Sequence, residues 1–320
     1  MSVLAYIESK NNKPKKNFAE VVSYAKKLAN KLSSELIVLT INIDDVVELN
    51  KYGPDKVLKI NDELLETFEA KIFADVIFQV AKEFSISNII LSGGVDSKYL
   101  APMLSVKLDA GYVSNVVDLP SNIDPFTVRR TSFSNKSFCD TSILSDKKII
   151  SLSNNSFGQF ENPSNPQVSE FKPKLIERKI KQDSIDLAKG KVTIADADVV
   201  VSAGRGLKGP ENWGIIEDLA DTLGAATACS KPVSDLGWRP HSEHVGQTGK
   251  PVSTNLYFAI GISGAIQHLA GVSASKVKVV INTDPEAPFF KAADYGIIGD
   301  AFEVVPKLNE KLKAFKAENN

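Results

Sequence analysis

Short apolar runs alternate along this chain with stretches whose apolar residues recur at helical spacing, and that alternation constrains the fold more than any single motif. The run 3–7 is followed by Phe18, Val21, Val22, Ala25, Leu28 and Leu32, which share one face of a helix. The runs 36–41 and 57–60 come next, then a helix expected from about 62 to 84 with Leu65, Phe68, Ile72, Val76 and Val80 on one face, then the run 88–91. Further on, 198–202, 225–229, 256–260, 277–281 and 296–298 are again short and apolar, with a helix expected over 211–223. Strands that alternate with helices pair in parallel, because the helix supplies the long crossover that a parallel connection needs. The expected class is α/β: two domains, each built on a mostly parallel sheet flanked by helices, the second Rossmann-like.

Length sets the domain count. A chain of 320 residues is long for one core and comfortable for two, and the domains are placed at 1–188 and 189–320 with a hinge over 184–191. Thirty-eight basic against 39 acidic residues leave a formal charge of −1, which gives no broad electrostatic footprint for nucleic acid or an anionic membrane. No window has the uninterrupted apolar length of a membrane span. Two cysteines, Cys139 and Cys229, cannot form a disulfide framework and fit a reducing compartment. The opening run resembles neither a secretory signal nor a transit peptide, so the expected location is the cytoplasm.

Within the first domain, SGGVDS at 92–97 invites a sharp reading. A loop of this kind between strand and helix resembles the phosphate-cradling loop of ATP pyrophosphatases. The plain reading is a tight turn at Gly93 and Gly94, with Asp96 or Ser97 capping a helix that Pro102 enters in its first turns. Residues 114–150 read as a small antiparallel appendage, 157–174 as a proline-containing loop and 174–180 as one more strand.

The second domain carries the chemistry-bearing pattern. GRGLKG at 204–209 has dinucleotide-fingerprint spacing, with Arg205 inside the loop where a guanidinium would clamp phosphate oxygens. The strand 225–229 ends on Ser230 and Lys231, not on the carboxylate that a nicotinamide dinucleotide site uses on ribose. Gly261 and Gly264 turn the chain sharply off the strand 256–260 into a helix. Gly204 to Gly206, Ser230, Lys231, Gly261 to Gly264, Asn282 and Asp300 therefore fall at strand ends, along one edge of one sheet, and suit a long ligand with separate phosphate, ribose and ring contacts.

The stretches VGQTGK, GISGAIQHLAG, INTDPEAPFF and ADYGIIGD together closely resemble the electron transfer flavoprotein alpha subunit, strongly over 198–308 and more weakly over 2–189. The resemblance implies a noncovalent FAD in the second domain. It places His268 beside the flavin pyrimidine, Thr248 near the N5 edge, and Val245, Gly246 and Gln247 in the loop that fixes it. Ser263, Gly264, Ala265, Ile266 and Gln267 would serve the ribityl chain and pyrophosphate. It also implies a heterodimer with a beta subunit that carries AMP, electron donors such as acyl-CoA dehydrogenases, a quinone oxidoreductase as acceptor, and no bond-making chemistry. A bifurcating carrier that also oxidises NADH, and an ATP pyrophosphatase working through 92–97, are the alternatives. One departure stands out: Lys231 replaces the arginine most members carry there. His241 and His244 have a metal-compatible spacing without further ligands, and read as a surface loop. Trp213 and Trp238 read as packing anchors or partner surface.

Overall fold

The computed structural model describes residues 2–133, 135–178, 180, 183–184, 193–194 and 197–319. The chain divides into two compact units, Met1–Ser132 with Phe138–Ile185, and Asp186–Asn320 with Phe133–Ser137. The expected hinge, from 185 onward, and the expected domain boundary lie outside the described residues.

The first unit opens with β1 (Ser2–Ile7) and a small hairpin, β2 (Ser9–Lys10) and β3 (Lys13–Pro14). α1 (Phe18–Lys31), β4 (Glu35–Ile41), β5 (Lys56–Ile60), α2 (Ala70–Glu83), β6 (Ile86–Leu91) and α3 (Val95–Leu108) follow. Then come β7 (Ala110–Val116), β8 (Asn122–Ile123), β9 (Phe126–Ser132), β10 (Ser137–Ile143), β11 (Lys147–Leu152) and β12 (Gln167–Glu170). The sheet order is β10-β9-β7-β11-β6-β1-β4-β5-β12, parallel from β7 to β12. One core packs α2 and α3 against one face through Ile72, Val76, Val80, Leu100 and Leu104; the other packs α1 against the opposite face through Val21, Val22, Ala25 and Leu28. A sheet covered on both faces explains why β1 and β4 are apolar at nearly every position rather than alternating.

Four local expectations are corrected. The helix expected over 62–84 is split: Asp62 accepts from the Leu64 N–H and caps a single turn, Glu63–Leu65, and the α-helix starts only at Ala70. Residues 174–178 are not a strand. The edge strand is Gln167–Glu170, inside the expected loop, where it pairs with β5. It escapes the sequence pattern because most of its side chains are exposed and carry no periodicity. Within 114–150, β8 and β9 are antiparallel as expected, whereas β11 enters the parallel sheet between β6 and β7. Gly94, not Asp96 or Ser97, is the N-cap of α3, and Pro102 lies in its middle.

The second unit contains β13 (Val199–Ala203), a short helical turn at Arg205–Leu207, another at Pro210–Trp213, α4 (Gly214–Leu223) and β14 (Ala226–Cys229). α5 (Lys231–Asp235), β15 (Leu256–Ile260), α6 (Ile266–Val272), β16 (Val277–Asn282), β17 (Tyr295–Ile298) and α7 (Ala301–Asn319) complete it. Its five strands are all parallel, in the order β14-β13-β15-β16-β17. The helix expected over 211–223 begins as a tighter turn, Pro210–Trp213, with Pro210 at its first position.

Candidate functional site

Five parallel strands put five carboxyl ends on one edge, and backbone hydrogen bonds lace the loops there together. The Gly204 N–H donates to the Ile260 carbonyl, the Gly206 N–H to Gly261, the Ser230 N–H to Ala203, the Val245 N–H to Cys229 and the Gly261 N–H to Ile281. Gly261 has φ +61°, and a Cβ there would lie 2.8 Å from the Gly206 Cα. Only glycine permits that backbone-on-backbone contact. Gly264, at φ +88°, is held equally closely against the Phe289 backbone. The Asn282 amide donates to the Ile262 carbonyl at 3.0 Å and its oxygen accepts from the Asp284 N–H, so this side chain braces the turn. Asp300 accepts from the Phe302 N–H at 2.9 Å and caps α7, with Lys208 at 3.8 Å.

The loop 246–250 joins the same edge: the Gln247 N–H donates to the Gln267 carbonyl at 2.8 Å, and Gly246 packs against Gly271. Arg205, Lys231, Gln247, Thr248, Ser263, Ala265, Ile266 and Gln267 are exposed around this edge, whereas Ser230, Val245 and His268 are buried. His268 is 7% exposed. Its Nε2 lies 2.9 Å from the Tyr257 hydroxyl, while Nδ1 is buried without a hydrogen-bond partner. Burial first, and the neighbouring His244 second, push its pKa down to about 4, partly offset by the Val245 backbone. The ring is therefore neutral near pH 7.

The two expected loop histidines differ. His241 is exposed with Nδ1 2.9 Å from the Ser234 hydroxyl. His244 is buried, not a surface residue, and its ring fills the space that Gly249 leaves. Trp213 is a packing anchor, 3% exposed in the apolar core of this unit. Sequence reasoning missed its neighbour Arg239, which bridges Glu217 on α4 at 3.1 Å and Glu243 at 2.7 Å. It also missed Tyr257, although a tyrosine inside a buried apolar run signals a hydroxyl in need of a partner. Burial pushes the Cys229 thiol up to about 12, so it stays an inert core group.

The loop at 92–97 is filled from within. The Ser92 and Ser97 hydroxyls donate to Glu8 Oε1 at 2.7 and 2.6 Å, and Lys15 pairs with Glu8 Oε2 at 2.7 Å and with Asp96 at 2.8 Å. Burial alone would raise the Glu8 pKa, but the Lys15 charge and these hydrogen bonds outweigh it and hold the carboxyl below its ordinary value. A phosphate there would have to displace a buried, hydrogen-bonded carboxylate, which the ATP pyrophosphatase reading does not accommodate.

Residues 3–178 match the electron transfer flavoprotein domain, and residues 193–273 match the electron transfer flavoprotein FAD-binding domain. The chain belongs to the electron transfer flavoprotein alpha-subunit family. It is 32% identical over 338 residues to the electron transfer flavoprotein subunit alpha of Thermoanaerobacterium thermosaccharolyticum, covering 97% of each chain. Identity to the Bacillus subtilis subunit alpha is 36% over 290 residues, covering 87% of this chain and 86% of that one. Identity to the probable mitochondrial subunit alpha of Caenorhabditis elegans is 36% over 302 residues, covering 89% and 86%. The cofactor is thus FAD, and the strand-end edge fits it: glycines admit close backbone approach, a cation stands at Lys231, and a buried imidazole nitrogen lacks a partner. Among the described residues, no helix is long and apolar enough to cross a membrane.

Proposed function

We propose that this chain is the FAD-holding subunit of a heterodimeric electron carrier, its second domain binding the flavin and its first forming the subunit interface. FAD, when bound, supplies a ring that accepts and releases electrons; the chain's residues hold and tune that ring. Gly204, Gly206, Gly261 and Gly264 let the backbone approach the pyrophosphate, with Arg205 as the phosphate clamp and Ser263, Ala265, Ile266 and Gln267 along the ribityl side. Ser230, Asn282 and Asp300 complete the strand-end edge. Val245, Gly246, Gln247 and Thr248 form the loop over the ring, and Lys231 and His268 favour negative charge on it. The observation that carries this reading is His268 Nδ1, a buried polar atom without a partner at the ligand edge of the sheet.

The partners that follow are a beta subunit carrying AMP, dehydrogenases such as acyl-CoA dehydrogenases as donors, and a quinone oxidoreductase as acceptor, in the cytoplasm. Nucleic acid binding and membrane insertion are not part of this role. The names of the relatives, each a subunit alpha, support the heterodimer. The test is coexpression with the beta subunit, an absorption spectrum, and stepwise anaerobic reduction by dithionite and by a reduced acyl-CoA dehydrogenase. A yellow protein reduced by both supports the proposal. A colourless protein that cannot be reconstituted with FAD overturns it, and reduction by dithionite alone removes the dehydrogenase assignment.

A further inference from the structure

Tyr257 is fully buried on β15, its ring stacked 6.4 Å from Phe289 at an interplanar angle of 3°. His268 packs against both rings, at 6.2 Å from Tyr257 and 6.0 Å from Phe289, so its plane is fixed by aromatic contact. Two protonation arrangements are open to the 2.9 Å contact between the Tyr257 hydroxyl and His268 Nε2. If Nε2–H donated, the phenol proton would need a second acceptor inside the buried core. Burial holds the Tyr257 phenol far above its ordinary pKa, so it keeps its proton, and the side-chain hydrogen bond its hydroxyl makes among the described residues is with His268 Nε2. A buried O–H without an acceptor costs about 1 to 3 kcal/mol. The arrangement that satisfies the phenol is donation from Tyr257 to Nε2, which leaves the single imidazole proton on Nδ1.

We propose that Tyr257 is a positioning residue that locks His268 in the Nδ1–H tautomer and so presents a buried hydrogen-bond donor to an acceptor atom of the bound flavin. The inference rests on the FAD reading for its ligand, but the tautomer itself is a property of the chain. This follows the general rule that the hydrogen bond on one ring nitrogen sets what the other nitrogen does. Free imidazole side chains prefer the opposite tautomer, so the claim is distinguishable from the default.

The experiment is nitrogen-15 NMR of the protein labelled at histidine, with its beta subunit, before and after FAD removal. The chain has three histidines, and His268→Gln identifies the His268 signals by their loss. The expected result is a protonated, pyrrole-type Nδ1 and an unprotonated Nε2 in the wild-type chain, with the proton moving to Nε2 in Tyr257→Phe. FAD titration of Tyr257→Phe should give a dissociation constant raised about tenfold. A wild-type ring protonated at Nε2, or a Tyr257→Phe protein that keeps the Nδ1–H tautomer, overturns the proposal, and the first holds even if the variant folds poorly. An unchanged FAD affinity in a variant whose tautomer has switched overturns the ligand half. A wild-type protein with the expected tautomer and no affinity for FAD sinks the flavin reading separately.

Discussion

Acid should loosen the second domain through His268, and the size of the effect follows from its surroundings. The imidazole ordinarily titrates at 6.5; burial and the neighbouring His244 push it down to about 4 in the folded chain. Above pH ~6.5 the ring is neutral in both folded and unfolded chains, and this group adds no pH dependence. As the pH falls below that value the unfolded chain takes up a proton that the folded chain refuses, so stability declines. Below pH ~4 both states are protonated and the loss levels off. The gap between 6.5 and about 4, at 1.36 kcal/mol per pH unit, gives a total of about 3 kcal/mol. His244, whose pKa is lowered by burial, acts in the same direction but is present in both proteins to be compared.

The assay is urea unfolding of the flavin-free chain at about pH 7.5 and about pH 4.5, for wild type and for His268→Gln. Both tryptophans, Trp213 and Trp238, belong to the second unit, so their fluorescence follows that unit alone. Glutamine keeps a polar group without a titration in this range. Wild type should lose about 2 to 3 kcal/mol more than the variant between the two conditions. Equal losses, within about 0.5 kcal/mol, would show that His268 is not held neutral by the fold and would refute the reasoning.

Three further outcomes are expected. Gly261→Ala forces a Cβ onto Gly206 at a φ that disfavours any side chain, and should cost about 2 kcal/mol or more and abolish FAD retention on gel filtration. Glu8→Gln, which leaves Lys15 without its buried partner, should lower first-unit stability by about 2 kcal/mol in urea followed by proteolysis, without creating ATP pyrophosphatase activity; pyrophosphate release would reopen that alternative. Lys231→Arg keeps an exposed cation at the start of α5 but changes its shape and hydration, so FAD should stay bound while its midpoint potential moves; identical titrations would remove Lys231 from the redox argument.

What the sequence disclosed and what it withheld divide along a physical line. Periodicity reports burial, so the apolar parallel strands β1, β4, β6 and β13 to β16 were legible, as was the glycine-bearing strand edge. Exposed pairing leaves no such trace: β12 has half its ladder in solvent and a polar sequence, and only its partner β5 reveals it. Side-chain networks between residues far apart were equally silent. Glu8 meets Ser92 and Ser97 across more than 80 residues, and nothing near residue 8 announces that a carboxylate will occupy the turn at 92–97. The same holds at the strand-end edge of the second unit. His268 was legible as a candidate because its motif is specific, whereas the proton we propose for it depends on Tyr257, which sits in the preceding strand. A motif names the group that meets the ligand, and the packing beneath it decides the state in which that group arrives. A substitution under the site, at Tyr257, should therefore alter flavin chemistry while leaving every motif residue in place.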